Sequence, residues 1–304
     1  KVSTSGMTAY VSLEPCCHTG HTPPCCGALI KAGISRVVVG MLDPDPRVSG
    51  KGVFALVSAG IEVIPHVLED ECRWINRGFV KRVTEGRPWV SIKAALSLDG
   101  NIALANGESK WITGVPARRL AHLARAENDV VLVGVGTVLK DDPMLSVRDT
   151  DGCSPIKSVV DRDLETPPEA RLLDGGNCVI FSGSSPDEKK IRKLVSRGAK
   201  VIGMETDREG HIPPADILRK FASMGVNRLL LEGGAGLVSS FLRAEAADEF
   251  SLFVSPRIMG NGISAFRGLS FEQMGKTICL RDLSLIKTGE DFLIKGVPEC
   301  SQAL

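Results

Sequence analysis

The chain has almost no net charge: 37 basic residues against 36 acidic ones leave +1 over 304 positions. No overall field exists to hold nucleic acid or an anionic membrane, and any anionic ligand must be met by a local cluster. Long apolar runs are missing as well. Those present, such as Val37–Met41, are strand length, against roughly 20 residues for a spanning helix. The start, Lys1-Val2-Ser3-Thr4-Ser5-Gly6, has neither the apolar stretch nor the cleavage site of a signal peptide. Internal repeats and low-complexity tracts are also absent. The expectation is a cytoplasmic protein without a membrane or nucleic-acid partner.

What the sequence does have is cysteine, nine in all. The count is odd, and Cys72, Cys153, Cys178, Cys279 and Cys300 are scattered, which fits reduced thiols better than a disulfide framework. The other four, Cys16, Cys17, Cys25 and Cys26, are clustered.

At roughly 150 residues per domain the length suggests two domains. Thr8–Leu13, Arg36–Met41 and Ile61–Ile64 read as strands, with a helix over Pro24–Ala32, a turn-rich loop from Asp43 to Gly52 and a short helix between them. This β-α-β-α-β half argues for a three-layer α/β domain. One amphipathic helix is predicted over Leu68–Val83, ending at Glu85-Gly86-Arg87-Pro88, so the boundary is set between residues 1–85 and 86–304.

Alternation then resumes. Strands are predicted at Trp89–Ala94, Val130–Val133, Ile156–Val160, Cys178–Phe181, Lys200–Gly203, Arg228–Leu231 and Glu249–Val254, with last strands near Lys276–Leu280 and Phe292–Lys295. Helices are predicted at Pro116–Ala126, Pro186–Arg197, Pro214–Met224 and Leu237–Ala244. Such alternation indicates a mostly parallel sheet covered on both faces.

In Leu13-Glu14-Pro15-Cys16-Cys17-His18-Thr19-Gly20-His21-Thr22-Pro23-Pro24-Cys25, one cysteine follows a strand and another opens a helix. Helix N-termini lower thiol pKa values, and zinc takes thiolates; the alternative is a pair of buried core cysteines. From Tyr10 through Asp43-Pro44-Asp45-Pro46 and Gly50-Lys51-Gly52 the sequence resembles the zinc deaminase half of the bifunctional riboflavin-biosynthesis deaminase/reductase family. The resemblance implies a cytidine-deaminase-like fold with Zn2+ on Cys16 and Cys25, leaving Cys17 and Cys26 as bystanders.

Zinc deaminases also need a His-x-Glu, the histidine as ligand and the glutamate as proton shuttle. In the family it lies upstream of the first cysteine, where this chain has no histidine. His18 and His21 are loop residues that could substitute as ligands, with solvated positions as the alternative. As it stands, the chain is expected not to deaminate. Its start at Lys1, without methionine, is read as truncation of a longer bifunctional chain.

In the second half, Val130-Val131-Leu132-Val133-Gly134-Val135-Gly136 and Leu229-Leu230-Leu231-Glu232-Gly233-Gly234-Ala235-Gly236 are strands entering glycine turns. Glycine lets a backbone approach pyrophosphate, and a helix N-terminus supplies amides; the alternative is tight strand-to-helix packing. Arg125 and Arg148 are candidates for a substrate phosphate, which suits planar, permanently charged donors.

Ser97-Leu98-Asp99-Gly100, Glu108-Ser109-Lys110-Trp111-Ile112-Thr113-Gly114, Gly136-Thr137-Val138-Leu139-Lys140-Asp141-Asp142-Pro143 and Leu231-Glu232-Gly233-Gly234 match the reductase domain of the same family in order and spacing. The resemblance implies a dihydrofolate-reductase-like α/β domain using NADPH. By position, Ala95, Trp111, Thr137, Asp141 and the turn Gly234, Ala235, Gly236, Leu237, Val238, Ser239 and Ser240 would hold the cofactor. Ser109, Arg125, Leu145, Arg148 and Glu232 would hold the ribosylamino-pyrimidine and its phosphate. Arg162 stands where the family usually has serine or threonine, and an arginine there could meet the cofactor's extra phosphate.

The implied substrate is 5-amino-6-(5-phosphoribosylamino)uracil, whose ribosyl ring opens before C1 accepts hydride. Lys93 and Asp99, at the end of the first strand of this domain, could assist proton delivery, or Lys93 could pair with a phosphate. The resemblance also implies a homodimer through the reductase domain. Two other readings are a protein acting chiefly as deaminase with a degenerate reductase half, and a non-catalytic zinc- or nucleotide-binding scaffold.

Overall fold

The computed structural model of the chain describes residues 3–19 and 23–299; His21 and Cys300 lie outside them. The chain divides into two compact units after Gly86.

In the first unit β1 (Thr8–Leu13), β2 (Arg36–Met41) and β3 (Glu62–Ile64) form a parallel sheet in that order. Helices α1 (Cys25–Lys31) and α2 (Lys51–Ser58) connect the strands, as strand-to-parallel-strand crossovers require. Cys26, Val37, Val39, Leu56 and Ile61 make the core. Where the apolar pattern predicts one helix over Leu68–Val83, there are two, α3 (Glu69–Ile75) and α4 (Arg77–Glu85). Asn76 divides them: its side-chain amide donates to the Cys72 carbonyl one turn back at 2.9 Å, local bonding that competes with helix propagation, and to the Ser12 carbonyl on β1 at 3.4 Å.

In the second unit β4 (Trp89–Leu96), β6 (Val130–Gly134), β7 (Ile156–Val160), β8 (Cys178–Gly183), β9 (Ala199–Met204), β10 (Arg228–Leu231), β11 (Glu249–Val254), β13 (Leu280–Thr288) and β14 (Asp291–Pro298) form one sheet, ordered β13-β14-β11-β4-β10-β6-β7-β8-β9. From β11 to β9 every pairing is parallel; β14 and β13 add an antiparallel edge. The short strands β5 (Asn101–Ala103) and β12 (Ile263–Ser264) pair separately.

Helices α5 (Val115–Ala126), α6 (Val135–Asp141), α7 (Glu188–Ser196), α8 (Pro214–Ser223) and α9 (Ala235–Arg243) lie between strands. Because side chains alternate along a strand, Val130 and Leu132 join one core with Phe181, Phe221 and Phe241, while Val131 and Val133 join another with Val159, Leu172 and Leu194. Burial on both faces is why these strands read as continuous apolar runs. Lys276 lies in a 3-10 turn rather than a strand, and β13 begins at Leu280. It is an edge strand exposed over most of its length, so it carries no burial pattern to read.

Strand β10 is late in the chain but central in the sheet. It inserts between β4 and β6, so the connections leave in opposite directions there, and the crevice at the carboxyl ends of such strands is where open parallel sheets bind ligands.

Candidate functional site

The register that pairs Ile92 with Leu231 makes the next residues, Lys93 and Glu232, neighbours at the carboxyl edge. Lys93 Nζ lies 3.5 Å from Glu232 Oε2. From α5, Arg125 grips the same carboxylate with two parallel bonds, Nε to Oε1 at 2.6 Å and Nη2 to Oε2 at 2.9 Å. All three are largely buried, with side-chain exposures of 16 % for Lys93, 13 % for Arg125 and 9 % for Glu232. Burial alone would push Glu232 up, but the charges of Arg125 and then Lys93 overcome it and hold the carboxyl at about 2. Glu232 is therefore a fixed anion between two cations, an acceptor and not an acid.

Two glycine turns abut beside this cluster. Gly134 caps α6 and Gly234 caps α9, and neither helix start has a side-chain cap or an acidic residue in its first turn. First-turn amides are left open to an anion. A Cβ on Gly134 would stand 3.9 Å from Leu237, and one on Gly234 would stand 3.9 Å from Thr137 Oγ1, whereas Gly136 and Gly236 face open space. These residues fit the phosphates of a dinucleotide.

Within Gly234–Ser240 the structure separates two kinds of residue. Val238 and Ser239 are buried; Ser239 Oγ donates to the Arg267 carbonyl at 2.8 Å, and Ser240 Oγ to the Leu237 carbonyl at 2.9 Å. The open part is the turn from Gly234 to Leu237.

Ala95, two residues beyond Lys93 on β4, packs with Ala117, Phe253 and Leu293. Ser109 and Trp111 line a groove of ≈ 350 Å³ with Leu104, Ile258 and Met259. Trp111 is 63 % exposed, and the Arg118 guanidinium sits 4.5 Å from its ring centroid, a cation–π contact. Asp141 closes α6, its Oδ1 3.8 Å from Lys110 Nζ. Leu145 is buried in a left-handed conformation at φ 54°. Arg148 is exposed, with Nη1 3.0 Å from Met144 Sδ.

Arg162 follows β7 by two residues, just past Val160, the partner of Gly134. Its guanidinium is engaged by the Asp163 carboxylate at 2.7 Å and by the Gly210 carbonyl at 3.1 Å. Asp99 accepts from Ser97 Oγ at 2.6 Å, the Met259 N–H at 3.1 Å and the Gly260 N–H at 2.7 Å. The Ser97 bond, then the Met259 amide, hold its carboxyl at about 2, so it has no proton to give at neutral pH.

His122 has no place in any of the sequence motifs. It lies one helical turn before Arg125 on α5, and its Nδ1 accepts the Arg148 N–H at 3.3 Å. The i, i+3 spacing from Arg125 is the signal that could have singled it out.

In the first unit, Glu14 is 2 % exposed, and its carboxylate accepts four backbone N–H groups, those of Asp43, Gly50, Gly52 and Val53, at 2.8 to 3.1 Å. This ties the end of β1 to the start of α2 and fixes the backbone leading into Cys16. Cys16 Sγ accepts the Cys25 N–H at 3.3 Å, and hydrogen bonding between the two side chains raises the Cys25 thiol above its ordinary value. Cys26 is a core thiol, pushed by burial to about 11, with Sγ 3.1 Å from the Pro15 carbonyl.

Among the described residues no group of three or more His, Cys, Asp or Glu is arranged to hold a metal. His18 is exposed and joins no such group. Two thiols do not complete the tetrahedral set that zinc requires. Among the described residues, no helix is long and apolar enough to cross a membrane.

A mostly parallel sheet with β10 returned to its centre, a buried Lys-Glu-Arg cluster and open glycine turns at its carboxyl edge defines an α/β protein of the class that binds ligands at a crevice of its sheet. The model of the RibD C-terminal domain matches residues 88–294. The riboflavin biosynthesis protein RibD of Aquifex aeolicus is 39 % identical over 291 residues, covering 95 % of this chain and 80 % of the relative. The Acinetobacter baumannii RibD structure superposes with a TM-score of 0.86 at 35 % identity, covering 97 % of this chain and 82 % of that one. A Thermotoga maritima diaminohydroxyphosphoribosylaminopyrimidine deaminase/5-amino-6-(5-phosphoribosylamino)uracil reductase superposes at 0.78 and 34 % identity, covering 94 % and 78 %. The chain belongs to the RibD family of riboflavin biosynthesis proteins, and its second unit is the family's reductase-side domain.

Proposed function

We propose that the second unit, a dihydrofolate-reductase-like domain, reduces 5-amino-6-(5-phosphoribosylamino)uracil with NADPH. The observation that carries this reading is the buried Lys93-Glu232-Arg125 cluster set beside two uncapped glycine turns at one sheet crevice. When bound, NADPH supplies the hydride.

The residues of the chain bind and orient. Amides of the turns at Gly134–Gly136 and Gly234–Leu237 take the cofactor phosphates, Thr137 and Asp141 lie along the same helix, and Trp111 and Ala95 offer apolar surface. Arg162 reads the extra phosphate by exchanging the Asp163 carboxylate for it. Arg125 and Arg148 hold the substrate phosphate, with Ser109 against the rest of the ligand; Leu145 is buried in the core and offers the ligand its backbone alone. Glu232, always ionised, accepts from a ribosyl hydroxyl and orients the sugar. The Lys93 ammonium, held by Glu232, delivers the proton to the ring oxygen as the ribosyl ring opens. Asp99 anchors the Met259–Gly260 loop and takes no part in proton transfer.

In the first unit Cys16 and Cys25 do not make a complete metal site with the other described residues. The test is loss of NADPH absorbance with the purified pyrimidine substrate. The expected outcome is turnover that Lys93→Met lowers by about 100-fold; binding of NADPH without turnover in the unaltered protein would favour a non-catalytic nucleotide-binding domain.

A further inference from the structure

Two residues one helical turn apart on α5 tie down the segment Leu145–Arg148. Arg125 Nη1 donates to the Ser146 carbonyl at 3.1 Å, and His122 Nδ1 accepts the Arg148 N–H at 3.3 Å. The segment needs such ties: Leu145 at its start is in the left-handed region, which non-glycine residues occupy only when their surroundings hold them there.

A ring nitrogen accepts only when it carries no proton. Burial holds the His122 ring below its ordinary pKa, and the charges of Arg125 and Arg148 add to this, opposed by Glu232 and the Ser146 backbone. The ring is thus a neutral acceptor between two permanent cations. Its Nδ1 is spent on the backbone of Arg148, whose exposed guanidinium has Nη1 3.0 Å from Met144 Sδ.

We propose that His122 is a positioning residue for the substrate phosphate, its Nδ1 fixing the Arg148 backbone so that Arg148 and Arg125 act on one anion. This rests on the reading that the two arginines hold that phosphate. The reach of Nδ1 is reproduced by an asparagine side chain and not by glutamine, whose amide falls nearer the position of Nε2. The pair therefore separates loss of the hydrogen bond from loss of a polar ring.

The experiment is steady-state kinetics of the full chain and its His122→Gln and His122→Asn variants. Each is assayed with the phosphorylated substrate and with its dephosphorylated ribosylaminouracil. In His122→Gln the KM for the phosphorylated substrate is expected to rise about tenfold, with kcat and the KM for NADPH within about twofold and the dephosphorylated substrate unaffected. His122→Asn is expected to stay within about threefold of the original protein.

An unchanged KM in His122→Gln would overturn the proposal. So would an equal loss with the dephosphorylated substrate, or an asparagine variant as damaged as the glutamine one. If the unaltered chain turns over and only these contrasts fail, the inference falls alone; if the unaltered chain does not turn over, the reductase reading falls and takes the inference with it. Should His122→Gln not fold, a normal KM in a folded His122→Phe would overturn the proposal, and a KM raised only for the phosphorylated substrate would support it.

Discussion

Glu232 shows how a single residue can be placed in three dimensions by distant parts of the chain and still be chemically simple. Its carboxylate is held at about 2 by Arg125 and Lys93 against the cost of burial. A depressed carboxyl contributes stability that is fully present above its unfolded value, about 4.3, and lost as pH falls toward the folded value. The loss therefore lies between about pH 4.3 and about pH 2. Glu232→Gln removes the anion and leaves two buried cations facing each other. Breaking such a pair costs about 3–5 kcal/mol, to be read as a lower denaturation midpoint at pH 7, and the variant should lack the acid-dependent component of the original protein. The sequence singled out Lys93, Arg125 and Glu232 separately. Their meeting was not legible, because it depends on the register of β10 against β4. The engagement of Asp99 by Ser97, Met259 and Gly260 was equally hidden, since two of its three partners are backbone amides far along the chain.

At the scale of elements, fully buried strands were readable and exposed or locally interrupted ones were not. Val130–Gly134 and Arg228–Leu231 carry apolar side chains on both faces, and their runs stand out. β13 is exposed along most of its length, and the split at Asn76 comes from side-chain hydrogen bonds that apolar periodicity does not register. α9 was legible as a helix, but its first turn has a property that only the structure displays: Gly236 is helical and faces open space. Glycine costs a helix about 1 kcal/mol relative to alanine, so Gly236→Ala should raise the melting temperature by a few degrees, about 2–4 °C. If the turn receives the cofactor, the added methyl stands where the phosphates approach. The KM for NADPH should then rise about tenfold, or about 1.4 kcal/mol, so that stability gained with affinity lost marks a position kept glycine for binding. An unchanged KM would place the phosphates elsewhere.

At the scale of the whole molecule, the two units have separate cores, one around Val37, Val39 and Leu56 and the other spread over both faces of the nine-stranded sheet. The residues assigned to reduction all belong to the second unit, and the cysteine pair Cys16 and Cys25 to the first. Treatment with a strong chelator should accordingly leave the rate of NADPH oxidation within about twofold, since none of the proposed steps is a metal-assisted one. A larger loss would mean that the reductase reading omits a metal.

The position of β10 also bears on how the protein is made. Val90 and Val130, which flank it in the sheet, are paired with Leu229, so both neighbours leave the ribosome long before the strand that joins them. Until β10 arrives, β4 and β6 present unpaired facing edges, the kind of transient surface that long-range strand pairing leaves open to association with other chains. The same insertion brings Glu232 between Lys93 and Arg125. The joining of β4 to β6 and the completion of the charged cluster are thus one event, and a chain in which β10 has not inserted lacks the assembled site.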